Sequence, residues 1–492
     1  MTTSIQFDNS YGRLPGEFYT RQHPVAVAEP RLVRLNRSLA DSLGIDPDWL
    51  SSKAGCLLLA GNSLPAEADP LACVYAGDQF GRFNPKLGDG RALLIGEVIA
   101  QDGERYDLQL KGSGKTPYSR GGDGRSPLGP VLREFIVSEA MHALGVPTTR
   151  SLAAVCSGES VFRQEALPGA VLCRVARSHI RFGTVQFFAA CENFSAVKQL
   201  VEYVIDRHYP ESRTADNPVH ALFKAVIKQQ AKLIASWQLV GFIHGVMNTD
   251  NMLLSGETVD YGPCAFMDAF RADAVFSSID HGGRYAYRNQ PGIAHWNLGR
   301  LLQAALPLLD HKSEAGLNLA QGLLDEFEPA FSDAYTSGLG AKFGLEETQQ
   351  GDIDLTSEFL VLLSREQGDF TLAFRRLADL VAPESEEPNV GELFEFSEAY
   401  QSWLKRWKAR SASDSRDPRS RQRAMYAVNP SFIPRNHLIE AAIHAAVTEN
   451  DFGRFHSLVD VLSDPFSYRP QLAGYAMAPR QEEVVHQTFC GT

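Results

Sequence analysis

The segment HGVMNTDNMLLSGETVDYG, from His244 to Gly262, constrains the fold of this chain more than any other feature. An amide side chain, Asn251, and a carboxylate, Asp260, flank its short hairpin-like middle, MLLSGETV. Oxygen atoms of these two kinds are common ligands of Mg²⁺ and similar hard cations. The segment therefore predicts a metal-binding loop.

The spacing within this segment is that of a protein-kinase catalytic loop with one residue changed. The kinase loop reads H-x-D-x-x-x-x-N, in which the Asp accepts the proton of the substrate hydroxyl and the Asn holds a metal, and a DFG-type Asp follows. His244 and Asn251 keep this register and Asp260 begins DYG, but Val246 occupies the position of the base. Valine cannot accept a proton, whereas Asp250 offers a carboxylate beside Asn251. The metal-binding half of a kinase site is predicted to persist, and the phosphate-transferring half to have been rebuilt.

The order of the predicted elements is that of a kinase. ALLIGEVIA and RYDLQLKGSG, joined by the turn residues QDGE, predict a β-hairpin, and VLREFIVSEAMHALG predicts a helix that ends at Gly145. RSLAAVCSG and GAVLCRVAR predict two further strands, and long amphipathic segments follow from Ser195. The polar and basic stretch from Ser411 to Arg423 is predicted to be a mobile loop.

The predicted fold class is α+β, with a bilobal protein-kinase-like architecture. Residues 1–178 are expected to form a small sheet-containing N-lobe with an N-terminal extension. Residues 179–492 are expected to form a large helical C-lobe that carries the catalytic loop, the DYG motif and a C-terminal tail. A chain of 492 residues is long enough for two or three packed units.

Lys111 and Glu134 resemble the ion pair that kinases form between a strand lysine and a helix glutamate. Lys111 ends the alternating strand YDLQLK, and Glu134 lies in the helix that follows. Taken singly, each is also compatible with a solvated surface residue. The catalytic-loop motif favours the ion pair.

Two glycine clusters suggest phosphate binding to different degrees. GSGKT, from Gly112 to Thr116, lacks the P-loop spacing because Gln109 stands where that motif needs glycine. Gly88-Asp89-Gly90-Arg91 lies between turn residues and a strand, where backbone N–H groups and an arginine can approach a phosphate. On its own, such a cluster more often forms a plain turn.

Composition limits the kinds of partner and the compartment. A net charge of −12 argues against general binding to nucleic acids or to anionic membranes. No apolar run is long enough to span a bilayer, and the first residues do not resemble a signal peptide, so a cytoplasmic protein is expected. The seven scattered cysteines contain no CxxC pair and predict neither a zinc site nor a disulfide framework.

Several long strings together resemble the selenoprotein O family. They are YAGDQFGRFNPKLGDGRA, LKGSGKTPYSRGGDGRSPLGPVLREF, HGVMNTDNM and VDYGPCAFMD, with support from FDNSYGRLPGEFY, WNLGRLL and YAVNPSFIPRNHL. These strings cover nearly the whole chain. The family consists of kinase-like proteins that transfer AMP rather than phosphate.

The resemblance implies that ATP binds in reverse, with its α-phosphate exposed to attack. The nucleotide-binding residues that it implies, together with the Lys111–Glu134 pair, are Gly88, Gly90, Arg91, Lys111, Asp123, Gly124, Glu134, Arg174, Arg181 and Asp260. It also implies that Asn251 and Asp260 hold one or two Mg²⁺ or Mn²⁺ ions. Asp250 is then the base that deprotonates a protein hydroxyl.

The function predicted from the resemblance is that of a protein adenylyltransferase. It would move AMP from ATP to Ser, Thr or Tyr hydroxyls of other proteins or of the chain itself, and release pyrophosphate. Two alternatives stay open: a phosphotransferase in which Asp250 replaces the missing base, and a pseudokinase that binds nucleotide as a scaffold. Val246 argues against the first alternative, and the retained metal ligands Asn251 and Asp260 argue against the second.

Two positions bear on how this chain differs from the family. The family usually has AGHQFG, and this chain has Asp78 in place of the histidine. Cys490, the third residue from the C-terminus, lies where some members carry selenocysteine or a regulatory cysteine. Cys264 is the candidate partner for a redox-dependent disulfide with Cys490, and an unreactive thiol in the tail is the alternative.

Overall fold

The protein was analysed as a computed structural model that describes residues 5–310, 313–382 and 398–489. It is a mixed α/β structure in which an antiparallel sheet is followed by many helices. The strands are β1 (Tyr19–Arg21), β2 (Arg31–Leu35), β3 (Leu71–Cys73), β4 (Gly77–Gln79), β5 (Arg82–Asn84), β6 (Ala92–Ile99), β7 (Arg105–Lys111), β8 (Ser126–Pro127), β9 (Arg150–Phe162), β10 (Ala166–Ala176), β11 (Phe242–Ile243) and β12 (Ala265–Phe266).

The helices lie mostly in the second part of the chain. They are α1 (Arg37–Ser42), α2 (Pro47–Ser51), α3 (Lys53–Leu59), α4 (Leu128–Ala143), α5 (Phe182–Ala190), α6 (Phe194–His208), α7 (Pro218–Leu239), α8 (Gln290–Leu309), α9 (Ser313–Leu324), α10 (Phe327–Lys342), α11 (Asp352–Arg365), α12 (Phe370–Asp379), α13 (Glu398–Ala412), α14 (Pro418–Val428), α15 (Asn436–Thr448), α16 (Gly453–Leu462) and α17 (Ala473–Ala476). This distribution confirms the predicted α+β content. The two-lobed kinase-like arrangement stays a prediction.

The main sheet has the strand order β1-β3-β6-β7-β10-β9-β2, and β8 pairs with β10. β6 and β7 form the predicted hairpin, with Ala92 opposite Lys111. β9 and β10 form the second predicted pair. Central strands such as β10 are almost fully buried, in keeping with their nearly continuous apolar sequence.

The short segment between β1 and β2, residues 22–30, joins opposite edges of this sheet and is called the strap below. Its backbone bonds to one residue just after β7 and to one residue within β9. Val25 N donates to Ser113 O at 2.9 Å, and Glu29 N donates to Ser157 O at 2.9 Å. The strap therefore crosses the sheet in contact with these two parts of it.

Helix α4 packs against β9 and β10 on one side and against α15 and α16 on the other. It ends just before Gly145, as predicted, and its buried face includes Val131, Phe135 and the charged Glu134. Because this helix is covered on two sides, the Glu134 carboxylate is directed into the protein near the end of β7.

The segment from Ser411 to Arg423 is not a loop, and that prediction is wrong. It spans the end of α13, a short turn and the start of α14, where the Asp417 side chain caps the helix by accepting from Ser420 N. Arg421 is buried and its Nε donates to Gly344 O at 3.2 Å. A polar sequence is helical here because a distant part of the chain supplies the partners for its polar groups.

No helix in the described ranges is long and apolar enough to cross a membrane.

Candidate active site

The predicted catalytic loop lies between the two short strands β11 and β12, which pair with each other. His244 is buried at its start, where the ring stacks on Trp237 with centroids 5.4 Å apart. Its Nε2 lies 2.9 Å from Val259 O, and its backbone N donates to Gln290 Oε1 at 3.0 Å. With both ring faces and polar atoms engaged in this way, His244 fixes the shape of the loop.

A cavity of about 640 Å³ brings together all of the predicted site residues except Glu134. Those that line it are Gly88, Gly90, Arg91, Lys111, Asp123, Gly124, Arg174, Arg181, Asp250, Asn251 and Asp260. Glu134 lies behind the wall and shares a small adjoining cavity with Lys111 and Arg91. Positions far apart in sequence therefore meet in one cleft.

Asp260 lies at the centre of the cationic wall of this cleft. Its Oδ1 accepts from Lys111 Nζ at 2.9 Å and from Arg174 Nη1 at 2.7 Å, and its Oδ2 accepts from Arg181 Nη1 at 2.6 Å. Burial acts to raise the pKa of Asp260, but the three neighbouring cations outweigh burial and hold that pKa well below its usual range. Asp260 is therefore an ionised carboxylate in this cleft.

The predicted ion pair between Lys111 and Glu134 is present, with Nζ 2.6 Å from Oε2. Both side chains are largely buried, so the alternative of two solvated surface residues is wrong. Arg174 Nη1 also contacts Glu134 Oε1 at 3.1 Å, and Gln109 Oε1 accepts from Arg174 Nε at 3.1 Å. Gln109 was not predicted as a site residue, although its position two residues before Lys111 places both on one face of the strand.

The two predicted metal ligands converge on one point. Asn251 Oδ1 lies 3.5 Å from Arg181 Nη1, and Asp260 Oδ2 lies 2.6 Å from the same nitrogen. Oxygen atoms that already share one cationic neighbour suit a shared divalent cation, so these residues fit Mg²⁺ or Mn²⁺. Within the described ranges, this site included, no group of three or more His, Cys, Asp and Glu side chains is placed to hold a metal.

Asp250 is buried beside this pair of ligands. Its Oδ2 accepts from Gln79 Nε2 at 3.2 Å, and its Oδ1 has no hydrogen-bond partner among the described residues. Burial raises the pKa of Asp250 to about 6. Val246, at the position of the kinase base, also lines the cleft and offers it only carbon atoms.

The strand β4 approaches Asp250 so closely that residue 77 must be glycine. A Cβ atom on Gly77 would lie 2.3 Å from Asp250 Oδ1. Asp78, which stands where the family usually has histidine, follows it, and its buried carboxylate accepts from Arg300 Nε at 3.0 Å and Gln186 Nε2 at 2.6 Å. Asp78 N donates to Thr249 Oγ1 at 2.7 Å, so this ion pair sits directly behind the catalytic loop.

The glycine cluster lies on the opposite wall, against Tyr118. A Cβ atom on Gly88 would lie 2.4 Å from Cγ of this ring, so glycine is required there by close packing. Asp123 pairs with Arg163, with Oδ2 2.8 Å from Nη1, and its side chain is 44% exposed. Asp123 is thus the most exposed carboxylate of the predicted set and already has an arginine partner.

The cleft is cationic although the chain is acidic overall. Seven basic side chains line it, against four carboxylates, whereas the whole chain has a net charge of −12. The basic residues are Arg91, Lys111, Arg120, Arg125, Arg163, Arg174 and Arg181, and the acidic ones are Asp89, Asp123, Asp250 and Asp260. Such an excess of positive charge suits a polyphosphate.

Cys490 lies outside the described residues, so its predicted pairing with Cys264 is not tested. Cys264 itself is buried. The adjoining Pro263 carbonyl accepts from Thr488 Oγ1 at 2.6 Å, and Thr488 also pairs with Ser277. The end of the described chain therefore docks beside the segment that follows DYG.

A cationic cleft that holds a lysine–glutamate pair, two converging oxygen ligands and a buried carboxylate is typical of enzymes that act on nucleoside triphosphates. The comparison with known families narrows this class. The chain belongs to the SelO family: the family model described as "Protein adenylyltransferase SelO" matches residues 1–463.

Similar proteins from bacteria carry a related description. Proteins named "Protein nucleotidyltransferase YdiU" from Rhodopseudomonas palustris (strain BisB5) and Bradyrhizobium diazoefficiens are 56% and 54% identical to this chain over 492 residues, which is all of both chains. One of the same name from Rhizobium etli (strain ATCC 51251) is 52% identical over 489 residues, 99% of this chain and 98% of the relative. These matches confirm the family and the class of enzyme predicted from the sequence, a protein nucleotidyltransferase.

Proposed function

We propose that this chain transfers AMP from ATP to Ser, Thr or Tyr hydroxyls of proteins, its own included, and releases pyrophosphate. The observation that carries the proposal is the charge of the inner cleft. In a kinase the strand lysine that pairs with the helix glutamate contacts the α- and β-phosphates beside the DFG-type Asp. Here two buried arginines, Arg174 and Arg181, join Lys111 around Asp260. Cations at this depth favour the outer phosphates and so a reversed nucleotide.

In the proposed reaction, Lys111, Arg174 and Arg181 hold the β- and γ-phosphates. Glu134 and Gln109 position Lys111 and Arg174 through the contacts described above. The backbone at the glycine cluster, together with the arginines of the outer wall, contacts the remainder of the nucleotide. These cations stabilise the negative charge that gathers on the leaving pyrophosphate.

Asp250 acts as the base. The acceptor hydroxyl oxygen forms a bond to the α-phosphorus as the bond from that phosphorus to the β-bridging oxygen breaks, and pyrophosphate leaves with the electron pair. The hydroxyl proton passes to Asp250, whose Oδ1 has no hydrogen-bond partner among the described residues. Asn251 and Asp260 would hold Mg²⁺ or Mn²⁺, which supplies positive charge at the α-phosphate when bound.

The proposed architecture is a kinase-like pair of lobes with the boundary after residue 178. The main sheet and α4 would form the first lobe. Helix α5 and the segments after it, with the catalytic loop, would form the second. The cleft is lined from both parts of the chain, since Lys111 ends β7 and Asp260 follows the catalytic loop. This placement supports the division.

Labelled ATP tests the proposal directly. Protein incubated with α-³²P-ATP and a divalent cation should become labelled and gain the mass of one adenylyl group, and γ-³²P-ATP should give no label. Label from the γ-phosphate alone would establish the phosphotransferase alternative. No label from either, with nucleotide still bound, would establish the scaffold alternative.

A pair of aspartate variants ties the activity to this cleft. Asp260→Ala should abolish the α-label, because it removes a proposed metal ligand. Asp216→Ala is the matched control, since Asp216 is exposed on the surface, and it should keep full labelling.

A further inference from the structure

The outer mouth of the cleft, next to Asp250, is built by the β4–β5 hairpin. Gln79 ends β4 and its Nε2 donates to Asp250 Oδ2 at 3.2 Å, so the turn of this hairpin begins at the proposed base. Gln79 and Phe80 line the cleft together with Asp250, so this turn borders the space beside the proposed base.

The turn is held in one conformation by the residues beneath it. Phe80 has a positive φ of 51°, and its backbone N lies 3.1 Å from Asn248 Oδ1 and 3.2 Å from Tyr285 Oη. Its ring packs on Tyr285 with centroids 5.1 Å apart, and both Phe80 and Ile279 line the mouth of the cleft. Ile279 is 48% exposed.

Arg284 lies at the outer side of the same turn. Its Cζ is 4.8 Å from the Trp296 ring centroid, and a Cβ atom on Gly81 would lie 3.5 Å from that Cζ. Within the described ranges this guanidinium has no ion pair with a carboxylate, and its Nε has no hydrogen-bond partner. Its Cζ also lies 5.8 Å from the Tyr285 ring centroid. The nearby Asp280 is engaged elsewhere, since it accepts from the backbone N atoms of Arg284 and Tyr285.

The arginine on the other side of Trp296 gives an internal comparison. Arg300 also stacks on this ring, at 5.8 Å, but it is paired with the buried Asp78. Arg284 is thus the guanidinium that keeps its charge available at the mouth, fixed in place by an aromatic ring. The exposed Arg82 and Lys86, in and just after β5, add positive charge on the same hairpin.

We infer that this surface, made of Phe80, Ile279, Arg284 and Trp296, binds an extended acceptor segment that carries an acidic residue near its modified hydroxyl. The inference rests on the proposed function. The apolar pair contacts the backbone and small side chains next to the hydroxyl, and Arg284 pairs with Asp or Glu. At about 3.3 Å per extended residue, two to four positions span roughly 7–13 Å, and the peptides below sample this range on both sides of the hydroxyl.

Three synthetic peptides that differ only in flanking charge test this inference. Each peptide contains one Tyr. The positions two to four residues before and after it are all Glu in the first peptide, all Gln in the second and all Lys in the third. The wild-type enzyme should show a KM for the Glu peptide at least tenfold below that for the Lys peptide. Arg284→Ala should bring the two values together, Arg284→Glu should reverse their order, and the KM for ATP should not change.

Two further variants separate charge from folding. Arg284→Lys keeps the charge and should keep the preference for the Glu peptide. Arg288→Ala, which removes an exposed arginine on the same loop, should behave as wild type. Thermal melting of each variant shows that it is folded.

The binding of the fluorescein-labelled Glu peptide, measured by fluorescence anisotropy, gives a readout that does not depend on AMP transfer. Binding should weaken at least tenfold in Arg284→Glu and as salt is raised. Equal binding of the Glu and Lys peptides, or an unchanged preference in Arg284→Glu, overturns the inference while AMP transfer is unaffected. If no acceptor is ever labelled from α-³²P-ATP, the proposed function fails instead, and the anisotropy still decides whether this surface selects acidic peptides.

Discussion

Arg181→Ala should lower both the catalytic efficiency with ATP and the stability of the fold, because this arginine has several buried partners and is also a proposed phosphate ligand. Its Nη1 donates to Asp260 Oδ2 at 2.6 Å and to the carbonyl oxygen of Asp250, and its guanidinium lies 4.8 Å from the Tyr75 ring centroid. The side chain is only 3% exposed. Truncation therefore removes contacts that water cannot replace.

The expected loss of stability follows from these contacts. Asp260 keeps Lys111 and Arg174 as partners, so the variant loses one charged hydrogen bond to it, worth about 1.5–3 kcal/mol. The variant also leaves the carbonyl oxygen of Asp250 unpaired, which costs about 1–3 kcal/mol. The free energy of unfolding should fall by roughly 3–5 kcal/mol. For a chain of 492 residues that unfolds as one unit, the entropy of unfolding is about 1 kcal/mol/K, so the melting temperature should fall by about 3–5 °C.

Thermal melting and steady-state kinetics measure the two effects separately. The loss of a charged contact to the outer phosphates should lower kcat/KM for ATP by about tenfold to hundredfold. Arg207→Ala is the matched control, since Arg207 is a buried arginine whose partners are Asp107 and Glu97. It should lower the melting temperature similarly but leave the KM for ATP unchanged. An Arg181→Ala enzyme with normal kinetics for ATP would refute the assignment of Arg181 to the phosphates. A melting temperature within about 1 °C of wild type would refute the structural role of Arg181.

Three other changes give distinct outcomes. Asp250→Asn should lower the rate of AMP transfer by about 10²–10⁴-fold and leave the Kd for ATP nearly unchanged; a full rate in this variant would exclude Asp250 as the base. Burial lowers the pKa of Lys342 from 10.5 to about 7. Between pH 7 and pH 10.5 the unfolded chain therefore binds a proton at Lys342 that the native protein does not. The free energy of unfolding should rise with pH across this range. Lys342→Met should abolish this part of the rise and stabilise the protein at pH 7, as urea denaturation at pH 7 and pH 9 would show. Cys490→Ser should leave activity in reductant unchanged and remove any difference in activity between oxidised and reduced enzyme. The unreactive tail would be favoured if non-reducing peptide mapping of the wild type found only the free thiol and oxidation did not change its activity.

Local sequence patterns were sufficient to predict much of the first part of the fold and the centre of the cleft. The β6–β7 hairpin and α4 follow from alternation, turn residues and helical spacing, all of which act over a few residues. The pairing of Lys111 with Glu134 followed from a motif that joins two such elements. In each case the determining interactions are local, or the motif specifies the distant partner.

Interactions between distant segments could not be predicted. The role of Asp78 depends on Arg300, 222 residues later, and no periodic pattern connects the two. The polar composition around Arg421 indicates solvent exposure and so does not predict the helices there, which depend on the buried acceptor that Gly344 supplies. The convergence of Arg174 and Arg181 on Asp260 likewise needed the folded chain, since sequence alone gives both arginines a surface position.

The strap between β1 and β2 has a consequence for how the sheet is completed. Its two ends attach to strands six spacings apart, which is about 29 Å at ~4.8 Å per spacing. The ten peptide units from Arg21 to Arg31 reach at most about 33–36 Å, so the strap spans the sheet with little chain to spare, even with its bend at Ala28 and Glu29. Removing two residues from it should detach one edge strand, while adding two should be tolerated. During synthesis, β1 can pair with β3 once Cys73 has been made, but β2 must wait for β9, so one edge of the sheet is completed much later than the other.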